Sequence, residues 1–228
     1  MNLFLDLETL PSESDAVRAA IAETITPPGN MSKAETIAAW TLEKKPALVD
    51  EAMLKTSFDA QYGRILCIGW AVDDDEPQSV IGSEDVVLPG FMEALLAAQE
   101  RPVKSGAVKP NADVVFIGHN ITGFDLRFLF QRCAINSVKP PLSLLTAMRA
   151  KPWDKCIQDT MLMWSPERER RISLGRLCKA LGVPTSKGDM DGSKVYEEYK
   201  AGNIDKISAY CRDDVTATRT CYKRLIFA

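Results

Sequence analysis

Histidine is almost missing from this chain: among 228 residues there is one, His119. Any chemistry that needs a second imidazole is therefore excluded. Long apolar runs are missing too. No stretch approaches the roughly 20 residues of a membrane-spanning helix, and the N-terminus has neither the basic region nor the cleavage pattern of a signal peptide. Both absences point to a cytoplasmic protein with no membrane partner. The six cysteines (Cys67, Cys133, Cys156, Cys178, Cys211, Cys221) include no C-x-x-C pair and mostly sit in apolar surroundings. Reduced core thiols are expected, not zinc sites or disulfides. There is no internal repeat, no coiled coil and no domain linker. With 46% hydrophobic and 26% charged residues, the chain has ordinary globular usage and can bury one full core.

An excess of positive charge is also missing. The formal net charge of −3 is unlike that of a protein that coats itself in nucleic acid, because sequence-independent phosphate binding needs a basic surface. What the chain does have is acid in an informative arrangement. Asp6 and Glu8 lie in NLFLDLET, at the end of the apolar run Leu3–Phe4–Leu5. That run reads as a buried strand, and a spacing of two puts both carboxylates on one face of it. Asp125 lies in GHNITGFDLRFL, and Tyr210 and Asp214 lie in YCRDDV, four apart on a predicted helix and so on one side of it. Asp213, about 100° further round that helix, faces elsewhere. Carboxylate oxygens suit hard divalent cations, and two such ions about 3.5–4 Å apart can stabilise the attacking and leaving oxygens of a phosphodiester displacement. Four carboxylates suit two ions. Bound, they would move the formal charge from −3 to about +1.

The order D-x-E, then N-x-x-x-F-D (Asn120 to Asp125), then Y-x-x-x-D resembles the DEDD superfamily of 3′→5′ exonucleases, which has a ribonuclease H-like fold. The nearest resemblance is to free-standing relatives of the exonuclease domain of family B DNA polymerases. Further matching segments are Tyr62–Gly63–Arg64–Ile65, Ser173–Leu174 with Leu177–Cys178, and Lys187–Gly188–Asp189–Met190–Asp191–Gly192–Ser193, so the likeness covers nearly the whole chain. In that superfamily the residue that orients or deprotonates the attacking water is a histidine about five before the last aspartate or a tyrosine four before it. His119 is in the middle motif, so Tyr210 is the candidate and the tyrosine subtype is implied. A phenol with a pKa near 10 is a poor base at neutral pH, which favours hydrogen bonding to the water. His119 itself reads as a strand-end histidine.

The resemblance implies Mg²⁺ or Mn²⁺ as the two ions. Asp6, Glu8 and Asp214 would hold the first, and Asp6 would bridge to a second reached by Asp125. It also implies substrate contacts at the main chain of Leu7 and Thr9, at Asn120 for the DNA backbone, and at Phe124 for terminal bases; a core-packing reading of Phe124 stays open. Lys187, Arg127, Arg212 and the cluster Arg168–Arg170–Arg171 are candidates for a small basic rim. For the arginine cluster a solvated loop is the other reading.

The first strand is followed by a helical insertion at about 11–60, broken at Pro27–Pro28–Gly29. Gly63–Val72 reads as a buried strand, Asp73–Asp75 as a turn and Gln78–Gly82 as its hairpin partner. A helix from Ser83 or Glu84 to Gln99 precedes an exposed loop over 101–111, a short strand Val114–Ile117 and a helix over 123–133. Asp159 reads as a helix cap or as an acid near the site. Ser173 opens a helix ended by Gly182, Pro184–Gly192 is a loop, and a last long helix runs from Asp205 or Lys206 to Leu225. The expected fold is α/β and ribonuclease H-like: a mixed central sheet flanked by helices, as a single exonuclease domain over 1–228 without a fused polymerase. The expected function is two-metal 3′→5′ hydrolysis of DNA, single strands favoured, releasing nucleoside monophosphates. Alternatives are an RNA exonuclease of the same fold, a ribonuclease H-like endonuclease or resolvase, and an inactive nucleic-acid-binding module. Homo-oligomerisation is open.

Overall fold

A computed structural model describes residues 1–104, 114–167, 170–185 and 190–228. Two compact units divide the chain: Met1–Glu8 with Ile65–Ala228, and Thr9–Arg64.

The larger unit is built on a five-stranded sheet in the order β3-β2-β1-β4-β5. Its strands are β1 (Asn2–Leu10, whose last two residues belong to the smaller unit), β2 (Arg64–Val72), β3 (Gln78–Ile81), β4 (Val115–Gly118) and β5 (Ile157–Asp159). β2 and β3 form an antiparallel hairpin, with Cys67 opposite Ile81. The Asp73 N–H bonds to the Asn2 carbonyl at 2.9 Å, so the end of β2 lies beside the start of β1, the antiparallel arrangement. β1, β4 and β5 are mutually parallel: Phe4 is level with Ile117, Ile117 with Gln158, and Gly118 with Asp159. The sheet is therefore mixed, and three parallel strands end together on one side of it. β2 is buried along seven consecutive residues, as a strand covered on both faces must be.

Helices α4 (Glu84–Lys104), α5 (Asp125–Ile135), α6 (Leu142–Arg149), α7 (Thr160–Trp164), α8 (Leu174–Leu181), α9 (Val195–Lys200) and α10 (Ile204–Leu225) flank this sheet. α10 packs against β3 and β4 and against α7, α8 and α9. Its apolar side closes one core cluster with Phe4, Ala71, Ile117 and Val215, and Tyr222 meets Phe4 edge to face at 5.8 Å. A second cluster joins Leu177 and Cys178 of α8 to Ala217 and Cys221 of α10. The Ser173 hydroxyl caps α8, and Gly182 ends it in the left-handed conformation at φ 65°, a geometry glycine adopts without Cβ strain. α5 is fixed by a largely buried ion pair. Arg132 donates from Nε and Nη2 to Glu84 at 2.8 and 2.5 Å, and the same carboxylate accepts the Ile65 N–H at 2.9 Å. One side chain thus ties α4, α5 and β2 together.

In the smaller unit, α1 (Asp15–Thr24) and α2 (Ala34–Glu43) both pack on α3 (Lys45–Lys55). Thr56, just after α3, accepts the Ser12 N–H at 2.8 Å and donates to the Met53 carbonyl at 2.6 Å. A Cβ on Gly63 would come within 2.5 Å of the Thr56 carbonyl oxygen, so this closing turn admits only glycine.

Four elements differ from the sequence reading. α4 runs on through Lys104 rather than stopping at Gln99, since Ala97, Ala98, Gln99 and Glu100 all favour a helix. The predicted loop over 101–111 lies outside the described residues from 105 onwards. β5, α6 and α9 are not expected from the sequence: β5 has three residues, only one of them apolar, and is a strand because β4 pairs with it.

Gly69 in β2 faces α10, where an added Cβ would lie 2.7 Å from the Cys211 Sγ and 3.2 Å from the Cys211 carbonyl oxygen. Replacing it with alanine must push α10 off the sheet. Gly69→Ala is expected to cost about 1–3 kcal/mol of stability, read as a lower urea midpoint. An unchanged midpoint would mean that α10 is not seated on β2 as described.

Candidate active site

The carboxyl ends of parallel strands are where α/β sheets gather functional groups, and the three strand ends here deliver most of the site. Along β1 the side chains alternate, so Asp6 and Glu8 share a side while Leu7 points away into the core. The Leu7 N–H donates to Asp125 Oδ1 at 3.1 Å, which links β1 directly to the first residue of α5. A carboxylate in the first turn of a helix also benefits from the positive end of the helix dipole.

The turn from β4 into α5 is held by an acid. Asp159, at the end of β5 and 3% exposed, accepts the Asn120 N–H at 2.9 Å, the Thr122 N–H at 3.1 Å, the Thr122 hydroxyl at 2.6 Å and the Met161 N–H at 3.0 Å. It is both the cap of α7 and the clamp of the turn. Asn120 takes φ +63° there, a left-handed conformation that asparagine tolerates better than most residues. His119 is committed on both ring nitrogens. Nε2 lies 2.9 Å from the Ile172 carbonyl oxygen and Nδ1 3.0 Å from the Thr160 hydroxyl, which also donates to the Gly118 carbonyl at 3.2 Å. Burial holds its pKa below the usual value.

α10 brings the last motif. Tyr210 is buried, Asp214 is half-buried and Asp213 is exposed. The Tyr210 hydroxyl hydrogen-bonds to the Asp214 carboxylate. Cys211, one residue on, places its Sγ 3.6 Å from both the carbonyl oxygen and Oδ2 of Asp6. One ligand-type atom each from Asp6, Glu8 and Cys211 lie within 4.8 Å of one another. Cys211 was read from the sequence only as a core thiol. The clue to its second role is its position beside Tyr210, on the face of the helix that meets β1.

Crowding the acids has an electrostatic cost. Burial pushes the Asp6 carboxyl well above its ordinary pKa, and the charges of Glu8, Asp125 and Asp214 push it further. Glu8 is raised by burial and then by Asp214, Cys67 and Asp125. Asp125 is pushed up to about 7, chiefly by burial and further by Asp159, with the Leu7 N–H pulling the other way. Tyr210 is raised by burial and by Asp214, Glu8 and Asp6, so the phenol stays protonated. Cys211 is raised too, first by its hydrogen bond with Cys67. It is therefore a thiol donating to Asp6, not a thiolate ligand. Oxygen donors that repel one another in a buried place fit a divalent cation, which would relieve both the desolvation and the repulsion.

The remaining predicted contacts are placed less uniformly. Phe124 is half-buried, its ring 5.3 Å from that of Phe128. Thr9 belongs to the smaller unit, where its hydroxyl donates to the Ser57 carbonyl at 2.7 Å. Arg127 and Arg171 are exposed, and Arg170 pairs with Glu167 at 3.1 Å. Arg212 donates to the Ser79 and Ser208 hydroxyls at 2.8 and 2.7 Å. Lys187 and Arg168 lie outside the described residues.

A family model described as "predicted 3′-5′ exonuclease related to the exonuclease domain of PolB" matches residues 107–228, more than half of the chain. The chain belongs to this family. The matched stretch carries Asp125, Tyr210 and Asp214; Asp6 and Glu8 lie before it. Among solved structures, the chain is similar to the family B DNA polymerase of the hyperthermophilic archaeon Pyrobaculum calidifontis, with a TM-score of 0.58 and 15% sequence identity. That likeness covers 99% of this chain and 24% of the polymerase, so the chain spans about a quarter of that protein's length. The mixed sheet with its flanking helices is the ribonuclease H-like fold of the PolB exonuclease domain. No curated protein matches the chain. Among the described residues, no helix is long and apolar enough to cross a membrane.

If repulsion between the acids limits the metal-free protein, binding a divalent cation must stabilise it. At about 100-fold above its dissociation constant Mg²⁺ is expected to raise the melting temperature by roughly 5–10 °C. Asp6→Asn should raise the melting temperature in chelator and remove most of the Mg²⁺ response. An equal Mg²⁺ response in both proteins would show that the cation binds elsewhere.

Proposed function

We propose that this member of the family is a divalent-metal-dependent 3′→5′ exonuclease of the tyrosine subtype, acting on the 3′ end of DNA, single strands favoured. The observation that carries the reading is the convergence of Asp6, Glu8, Asp125, Tyr210 and Asp214 from three distant segments on one place, with their charges mutually coupled. No structural need of the sheet requires four acids there.

In this reading Asp6, Glu8, Asp125 and Asp214 would hold the divalent cations. Mg²⁺ or Mn²⁺ bound there would supply charge neutralisation and Lewis-acid assistance to a phosphodiester displacement. The protein's own groups do the positioning. Tyr210 stays a protonated phenol and orients the attacking water through its hydroxyl, itself oriented by Asp214. Water adds to the terminal phosphorus, the bond from phosphorus to the preceding 3′ oxygen breaks, and a nucleoside 5′-monophosphate leaves with a new 3′-hydroxyl on the strand. Leu7 fixes Asp125 through its N–H. Asn120 and Phe124, on the turn leading to Asp125, flank the terminal nucleotides, with Asn120 toward the backbone and Phe124 toward a base.

The decisive experiment is digestion of 5′-labelled single- and double-stranded DNA and of RNA, with and without chelator. A ladder shortened from the 3′ end, abolished by EDTA, is expected. Cutting of a circular substrate, or full activity in excess EDTA, would sink the proposal.

In the same assay Asp214→Ala should lose turnover by several orders of magnitude, since a ligand is gone, while the exposed Asp213→Ala changes little. The reverse ranking would put the final motif out of register. Tyr210→Phe keeps the ring in its packing and removes only the hydroxyl, so the rate should fall on the order of 10- to 1000-fold with metal binding retained. An unchanged rate would reduce Tyr210 to a packing residue.

A further inference from the structure

The end of β5 carries a second feature. A cavity of about 410 Å³ opens there, lined by Pro152, Trp153, Asp159, Leu162, Met163 and Arg171, among others. Trp153 is 76% exposed, which leaves a large apolar ring surface in water. The Lys151 ammonium stands 5.5 Å from the centre of its ring, and Arg171 is exposed at the cavity. The one acid among the six, Asp159, has both oxygens occupied by donors from Asn120, Thr122 and Met161. The cavity therefore offers an aromatic surface, apolar walls and positive charge, in a chain whose formal charge is −3.

The sheet fixes where this lies relative to the carboxylates. β4 separates β1 from β5, and adjacent strands are about 4.8 Å apart, so the end of β5 is about 10 Å across the sheet from the end of β1. In register, Phe4, Ile117 and Gln158 are level. Asp159 is thus one residue past that level on its strand and Asp6 two on its own. The cavity runs along β5 to Asp159, whose carboxylate clamps the turn into α5 and whose charge acts on Asp125, so its lining adjoins the residues that carry the acidic cluster.

We propose that this cavity is a subsite for one unpaired base of the substrate strand, 5′ to the terminal nucleotide, stacked on Trp153 with its phosphates facing Lys151 and Arg171. The inference rests on the exonuclease reading for the identity of the strand. The volume lies in the range of small-molecule pockets and suits one nucleotide. Stacking on an aromatic is tolerant of sequence, because every base has a π face, and the flanking cations serve the backbone. A paired base cannot present its face to the indole without leaving its stack, so this subsite would favour single strands over duplex.

The test measures binding of 5′-fluorescein-labelled thymidine oligonucleotides of two and eight residues, by anisotropy in chelator, to the full chain carrying Trp153→Ala or Trp153→Phe. Trp153→Ala should weaken the octamer about ten-fold, as expected for losing one base stack, and the dinucleotide less than two-fold. Trp153→Phe should restore most of the octamer affinity, and Arg171→Ala should flatten its salt dependence. An octamer affinity unchanged by Trp153→Ala, or an equal loss at both lengths, would overturn the subsite. Hydrolysis is not read in this experiment, so octamer binding that depends on Trp153 in a chain that fails to digest DNA would overturn the exonuclease reading alone. Digestion by a chain indifferent to Trp153 would overturn only the subsite.

Discussion

Four carboxylates held where water is scarce and where they repel one another form the constraint around which the larger unit is organised. Like charges in a buried place disfavour ionisation and oppose folding, so something must hold them. Here three devices hold the four acids. Asp6 and Glu8 are fixed by the pleat of β1, Asp125 by the Leu7 N–H and the start of α5, and Asp214 by α10. α5 and α10 are in turn anchored by the Glu84–Arg132 pair and by the apolar clusters along α10.

Close packing of α10 also explains a small residue near the cluster. Gly69 lets the Cys211 side of α10 approach β2, which brings the Cys211 thiol to Asp6. A donor at that oxygen lowers the Asp6 pKa, against the burial and the neighbouring charges that raise it. A thiol is a weak donor, so it restrains the carboxylate without competing strongly for its lone pairs. An ammonium in its place would neutralise Asp6 permanently and leave less for a cation to do.

How much of this was legible in the sequence depends on whether a feature is local. The face shared by Asp6 and Glu8, the i, i+4 placement of Tyr210 and Asp214, the Ser173 cap and the Gly182 stop are all consequences of one element's periodicity or cap chemistry, and each can be read along the chain. β5 cannot be read in that way, because its three residues become a strand only through β4. Asp159 was visible as a cap, but its grip on Asn120 and Thr122 spans 37 to 39 residues. Arg212 looked like a surface cation for a phosphate and is instead tied to Ser79, 133 residues away, and to Ser208 on its own helix. Contacts between elements are where single-sequence reasoning ends.

Asp159 also joins the two halves of the functional argument. Its carboxylate is filled by four donors, so it adds negative charge near Asp125 without offering a free oxygen for a ligand. That charge raises the Asp125 pKa, so clamping the turn has a cost at the site. The cost is tolerable if a cation is normally present, since a bound divalent ion favours the ionised form of its ligands far more strongly than one neighbouring carboxylate disfavours it. A turn held rigid by a buried acid and a site that requires external positive charge are then two sides of one arrangement. Asn120 lies on the turn that this acid fixes, and the cavity beside Trp153 lies along the strand that delivers it.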